Sequence, residues 1–147
     1  MHELHVSSVG IDKLLHDVVE EMNIPSTIRV DWDIDGSLPN ILADKERLCE
    51  IAHNLIKNAI ESMGEKGVLS IQGAVDGEFV RIIISDTGKG MSEEEISRMF
   101  TPFYTNKATG KGLGMAVVKR LIEAHKGTID VESKIGAGTR VVIRLVR

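Results

Sequence analysis

Apolar residues at Ile11, Leu14, Leu15, Val18, Val19 and Met22 recur at helical spacing with polar residues between them, which predicts a first helix over 11–22 that packs one stripe on a core. Pro25 ends it. Residues 28–34 then alternate, with Ile28, Val30, Trp32 and Ile34 on one side and Arg29, Asp31 and Asp33 on the other, the pattern of a half-buried strand. Gly36 and Pro39 turn the chain. Asp44 is placed to cap a long helix over 45–63, whose core stripe runs through Leu48, Ile51, Ala52, Leu55, Ile56, Ala59, Ile60 and Met63. Glu50, Asn54, Lys57, Asn58 and Glu61 fall on its other side, and Gly64 and Gly67 close it.

The second half reads as strands framing two more helices. Residues 68–75 and 78–85 form an antiparallel hairpin joined at Asp76-Gly77, and Val80-Arg81-Ile82-Ile83-Ile84 is apolar enough to be a central strand. Ser92 caps a short helix over 92–98 with Glu93, Glu94 and Glu95 in its first turn. Residues 99–113 carry neither a helical nor a strand period, and a loop of that length in so compact a chain predicts a functional lid. Met115, Val117, Val118, Leu121, Ile122 and Ala124 mark a last helix over 114–126, ended by Gly127. Strands at 128–133 and 139–146 finish the chain around a Gly136–Gly138 turn. This order predicts an α+β fold, a two-layer α/β sandwich with a mixed, mostly antiparallel sheet covered on one face by helices.

Composition narrows the partners. At 147 residues the chain suits one domain, taken as 1–147, and its 18 basic against 22 acidic residues give a net charge of −4, too little basic field to hold nucleic acid. The single cysteine, Cys49, cannot form an internal disulfide and points to a reducing compartment. No apolar run approaches the roughly 20 residues of a membrane span, and residues 1–10 lack the apolar core of a signal peptide. The expectation is a cytoplasmic, monomeric domain that is not itself inserted in a membrane.

The candidate chemistry lies in the polar and glycine signals. Asn54 and Asn58 are four apart on one helix, so their carboxamides point the same way, and an amide oxygen is a hard neutral ligand suited to Mg²⁺. Asp86 follows the buried strand and precedes Thr87-Gly88-Lys89-Gly90, where a carboxylate can accept from the exocyclic amine of adenine while Gly88 and Gly90 turn the backbone at positive φ beside the ring. Gly110-Lys111-Gly112-Leu113-Gly114 opens a helix, whose unpaired N–H groups suit phosphate, and it is neither a P-loop nor a dinucleotide fingerprint. Phe100, Phe103 and Tyr104 anchor the lid; Lys57, Lys107 and Lys111 are cations within reach of phosphates; Thr139 after Gly138 is a further hydrogen-bonding group. Taken singly, each signal has a plain explanation: solvated asparagines, an ordinary turn, a hinge, surface lysines. Their order along one chain is what points to a magnesium-nucleotide site.

With those residues in place, the chain resembles the catalytic, ATP-binding domain of bacterial sensor histidine kinases, within the GHKL group of ATPases and its Bergerat fold. Asn54-Leu55-Ile56-Lys57-Asn58-Ala59 is similar to that family's N box, Asp86-Thr87-Gly88-Lys89-Gly90 to its first glycine box and Met99-Phe100-Thr101-Pro102-Phe103-Tyr104 to its F box. Gly110-Lys111-Gly112-Leu113-Gly114 is similar to its second glycine box, and Gly138-Thr139 to its closing turn. The resemblance implies ATP and Mg²⁺ as cofactors, with Asn58 as the metal ligand and Asp86 reading the adenine amine. It implies nucleotide contacts from Asn54, Asn58, Asp86, Gly88, Gly90, Phe100, Tyr104, Lys107, Gly110, Lys111, Gly112, Leu113, Gly114 and Thr139, and catalytic roles for Asn54, Lys57, Asn58 and Lys107. Hydrolysing relatives carry a glutamate base one turn before the magnesium asparagine; Asn54 holds that place here and cannot take a proton, which implies transfer to a protein rather than to water.

The implied acceptor is a histidine on a separate helical dimerisation domain, followed by the aspartate of a response regulator. None of His2, His5, His16, His53 or His125 has the local setting of a phosphoacceptor, so all are taken as structural or surface residues and the chain as the catalytic part of such a kinase. The other reading is a stand-alone switch protein of the same fold, like an anti-sigma factor that phosphorylates a serine and controls partner binding.

Overall fold

The computed structural model describes residues 3–102 and 114–147. Among the described residues eleven elements follow one another: β1 (Val6–Val9), α1 (Ile11–Glu21), β2 (Ile28–Ile34), β3 (Ile41–Asp44), α2 (Lys45–Met63), β4 (Gly67–Asp76), β5 (Phe79–Asp86), α3 (Glu93–Arg98), α4 (Gly114–Ala124), β6 (Thr128–Ser133) and β7 (Thr139–Val146). The five strands other than β1 and β3 form one sheet in the order β2-β4-β5-β7-β6, and every neighbouring pair is antiparallel except β2 with β4. That pair is parallel because the chain crosses over through α2 between them. This is the mixed, mostly antiparallel sheet expected, with α1, α2 and α4 packed on one face.

The core is the row-by-row meeting of strand side chains under those helices. Trp32, Ile71, Ile84, Val141 and Val131 lie side by side across the five strands, and Gly73, Ile82, Ile143 and Ile129 form the next row. Leu69, Ile71, Val80, Leu121, Ile122 and Val118 are at most 1% exposed, and α2 adds Ile56 and Leu55 from its apolar stripe. The opposite face has no helix over it in the described residues. Ile83 and Val142, partners in the ladder, are buried there, and on the same face Arg81 and Arg144 pair with Asp76, Arg144 with Asp130 and Arg140 with Glu132.

Asp44 caps α2 as expected, accepting from Arg47 N at 3.2 Å, and does more than that. Its second oxygen accepts from His5 N at 3.0 Å, and its own N–H donates to His125 Nε2 at 3.1 Å while His125 Nδ1 donates to the Leu121 carbonyl at 2.8 Å. One buried residue therefore joins three places: its carboxylate holds the segment entering β1 and the start of α2, and its backbone N–H holds His125 just after α4.

Three expectations need correction. Strands β1 and β3 pair into a small antiparallel sheet that the sequence pattern does not announce, because each is only four residues long. The hairpin loop is Gly77-Glu78 rather than Asp76-Gly77: Asp76 remains in the ladder opposite Phe79, and Gly77 takes φ +62° in the first loop position, which a type II′ turn reserves for glycine. Helix α4 ends at Ala124 rather than running to Lys126, which takes the left-handed conformation at φ +59°. Gly127 is needed because a Cβ there would strike the Arg144 carbonyl.

Candidate functional site

Among the described residues, two sets of the sequence-predicted residues are brought together: Asn54 with Gly114 where α2 meets the start of α4, and Asp86 with Gly88 and Thr139 where the end of β5 meets the β6–β7 turn. Helix α2 carries Asn54 and Asn58 half-buried on one face and Lys57 exposed beside them. Asn54 Nδ2 donates to the Glu50 carbonyl at 2.9 Å, which fixes the carboxamide along the helix. Its Oδ1 then faces the first residue of α4: a Cβ on Gly114 would stand 2.8 Å from that oxygen. Glycine at 114 lets the first turn of α4 sit directly against the asparagine face of α2.

Asp86 ends β5 between Leu69 of β4 and Thr139 of β7. Its Oδ1 accepts from Gly88 N at 2.8 Å and from Thr139 N at 3.3 Å. Both described donors thus spend themselves on one oxygen. Burial pushes the Asp86 carboxyl up from the ordinary aspartate range, and the N–H groups of Gly88 and Thr139 pull it part of the way back.

The loop after Asp86 is held from two sides. Lys89 N donates to the Ser62 carbonyl at 3.1 Å, and Gly136 N donates to the Lys89 carbonyl at 2.7 Å. Gly88 packs so closely on the Ser62 backbone that a Cβ has no room, without a positive φ; Gly90 takes φ +70° and lies against the Lys134 carbonyl. The expectation that both glycines turn at positive φ beside a ligand is therefore corrected. Only Gly90 turns that way, and each glycine admits another segment of this chain. Gly138, at φ +82°, approaches the Asp86 carbonyl in the same manner.

Beyond the loop, Met91 N donates to Ser133 Oγ at 2.8 Å and the chain enters α3 through a capping box, with Ser92 N to Glu95 Oε1 at 3.0 Å and Glu95 N to Ser92 Oγ at 3.1 Å. Phe100 is half-buried, with Lys119 Nζ of α4 5.2 Å from its ring centroid. Phe103, Tyr104, Lys107, Gly110, Lys111, Gly112 and Leu113 lie outside the described residues. Among the described residues no cluster of three or more His, Cys, Asp and Glu side chains is placed to hold a metal. No helix of the described residues is long and apolar enough to cross a membrane.

Sequence reasoning missed Ser62 and Ser133. The backbone of Ser62 has no sequence signal. Ser133 had a faint one, a hydroxyl at a strand end just before a glycine turn. Two histidines are taken up structurally: His125 in the Asp44 junction, and His16 stacked on Trp32 with ring centroids 3.7 Å apart.

Known proteins place this geometry. The sequence profile of the family described as histidine kinase-, DNA gyrase B-, and HSP90-like ATPase matches residues 43–147. The chain is 40% identical over 118 residues to the sensor histidine kinase ZraS of Escherichia coli (strain K12), which covers 80% of this chain and 25% of that protein. It is 35% identical over 133 residues to sporulation kinase E of Bacillus subtilis (strain 168), covering 88% of this chain and 18% of the relative. The chain thus spans about a quarter or less of the length of these curated relatives. Among solved structures, full-length ShkA in complex with AMPPNP superposes with a TM-score of 0.85 at 34% identity, over 98% of this chain and 31% of ShkA. The nucleotide-free catalytic domain of the histidine kinase ThkA superposes with a TM-score of 0.87 at 27% identity, over 97% of this chain and 96% of that one. The chain belongs to the family of histidine kinase-, DNA gyrase B- and HSP90-like ATPases, as an ATP-binding histidine kinase domain.

Proposed function

We propose that residues 1–147 are the catalytic domain of a two-component kinase that binds Mg-ATP between α2, the Asp86 loop and the start of α4. Its γ-phosphoryl group goes to a histidine on a separate dimerisation domain and from there to a response regulator. The observation that carries this reading is Asp86: a half-buried carboxylate whose Oδ1 is fixed by two backbone N–H groups, with Oδ2 left for a ligand donor such as the adenine amine. Asn58 supplies an amide oxygen for Mg²⁺ one turn from Asn54. Magnesium, when bound, neutralises charge on the β- and γ-phosphates.

The chain's own part is mostly positioning. The N–H groups opening α4 and the cations Lys57, Lys107 and Lys111 suit phosphate oxygens. Asn54 meets Gly114 with an amide and offers no base to activate water, so the bond from the γ-phosphorus to the β-phosphate oxygen breaks as one forms to an imidazole nitrogen, and the imidazole proton is lost to solvent or a neighbouring base.

The test mixes this chain with Mg²⁺, γ-labelled ATP and a separately produced helical domain bearing the phosphoacceptor histidine. Acid-labile, base-stable label on that domain is expected. Label on serine instead, or none under saturating ATP, overturns the assignment.

A further inference from the structure

Ser133, the last residue of β6, ties three backbone segments together with one hydroxyl. Its Oγ accepts from Met91 N at 2.8 Å, donates to the Gly138 carbonyl at 3.0 Å and lies 2.8 Å from Thr139 Oγ1. A hydroxyl has one proton and two lone pairs, so with its proton given to Gly138 it receives the Thr139 hydroxyl proton and is fully used. Thr139 Oγ1 is left presenting lone pairs. The same two residues seat Asp86: Thr139 N donates to Asp86 Oδ1 at 3.3 Å, and Gly138 lies against the Asp86 carbonyl.

We propose that Ser133 is a positioning residue for base recognition, its hydroxyl holding Gly138-Thr139 so that the Asp86 carboxylate meets the adenine amine in one orientation. This rests on Asp86 as the adenine reader. Discrimination of adenine from guanine by one carboxylate depends on the direction of its free oxygen, and that direction is set by the donors on the other oxygen. Removing the Ser133 hydroxyl unties the Thr139 side chain and the Gly138 carbonyl together, and the weakest link to Asp86 is the longer one, from Thr139. The bond to Met91 connects the same hydroxyl to the entry of α3, so the orientation of the reader and the position of that helix share one anchor.

A serine that merely closes a turn would affect stability and leave base preference alone. The experiment therefore measures dissociation constants for Mg-ATP and Mg-GTP by calorimetry on the whole chain and on Ser133→Ala, Ser133→Thr and Asp86→Asn. Ser133→Ala is expected to weaken ATP binding about tenfold while barely moving GTP, and Ser133→Thr, which keeps the hydroxyl, to restore the ratio. Ser133→Cys, of similar volume but a poor hydrogen-bonding partner, reports the same ratio if the alanine variant does not fold. An unchanged ATP/GTP ratio in Ser133→Ala, with the ratio collapsed in Asp86→Asn, overturns the role of Ser133 and leaves the site reading standing. An unchanged ratio in Asp86→Asn overturns the reading itself.

Discussion

Asp86 concentrates the site's electrostatics in one side chain. In Asp86→Asn the backbone donors at Gly88 and Thr139 still find an oxygen, but the group presented to the base is altered. ATP affinity should fall by about tenfold or more, with the far-ultraviolet circular dichroism unchanged; calorimetric affinity equal to the parent would remove Asp86 from the adenine contact. The pH dependence has a definite sign. Burial holds the folded carboxyl above its unfolded value, so its contribution to stability of the nucleotide-free chain is fully present below the unfolded range and is lost as pH rises through the folded one. Binding runs the other way. An amine donor requires the ionised carboxylate, so ATP affinity should drop as pH falls through the raised value, and binding in that window should release a proton. Calorimetry in two buffers of different ionisation enthalpy reads that release, and identical heats in both would refute it. The acid at 86 was legible in the sequence from the buried strand before it, but its second donor, 53 positions away at Thr139, was not.

At the scale of elements, α2 is both a main helix of the core and the carrier of the proposed site's asparagines, because its apolar stripe and its Asn54–Asn58 face are the two sides of one amphipathic pattern. Its N-terminus depends on Asp44, whose carboxyl is held below the ordinary aspartate range first by the His5 N–H, against the opposing effect of burial, and then by Arg47. That stability is present above the unfolded value and is lost as pH falls through the depressed folded one. Asp44→Ala should cost about 2 kcal/mol of unfolding free energy in urea, the upper range for a helix cap, since it also strands the His5 N–H. Asp44→Asn, which keeps an acceptor, should cost less; equal losses would mean that charge rather than capping matters. The cap residue and helix limits were legible because capping is local. Strands β1 and β3 were not, because Val6-Ser7-Ser8-Val9 gains its conformation only by pairing with Ile41–Asp44, more than 30 positions on.

The whole molecule is a frame that brings distant segments to one rim. If the rim binds nucleotide as proposed, Mg-ATP at 100 times its dissociation constant should stabilise the fold by about 2.7 kcal/mol, a rise in melting temperature of roughly 8 °C for a chain of this size. Mg-GTP at the same concentration should raise it less, and equal shifts would deny base selectivity. The sequence by itself determined what depends on neighbours along the chain: the 3.6-residue stripe of α2, the alternation of β2, the Ser92 capping box and the glycine turn before β7. It also put asparagines, an aspartate and glycines in an order that resembles one family. The tertiary structure alone decided which oxygen of Asp86 is spent, why Gly88 must lack a Cβ against Ser62, how Asn54 meets Gly114, and that Ser133 joins Met91 to Gly138-Thr139. Local periodicity and capping are written in adjacent residues. Close approach and the direction of a lone pair arise only when remote backbone segments are packed together, and no neighbouring residue records them.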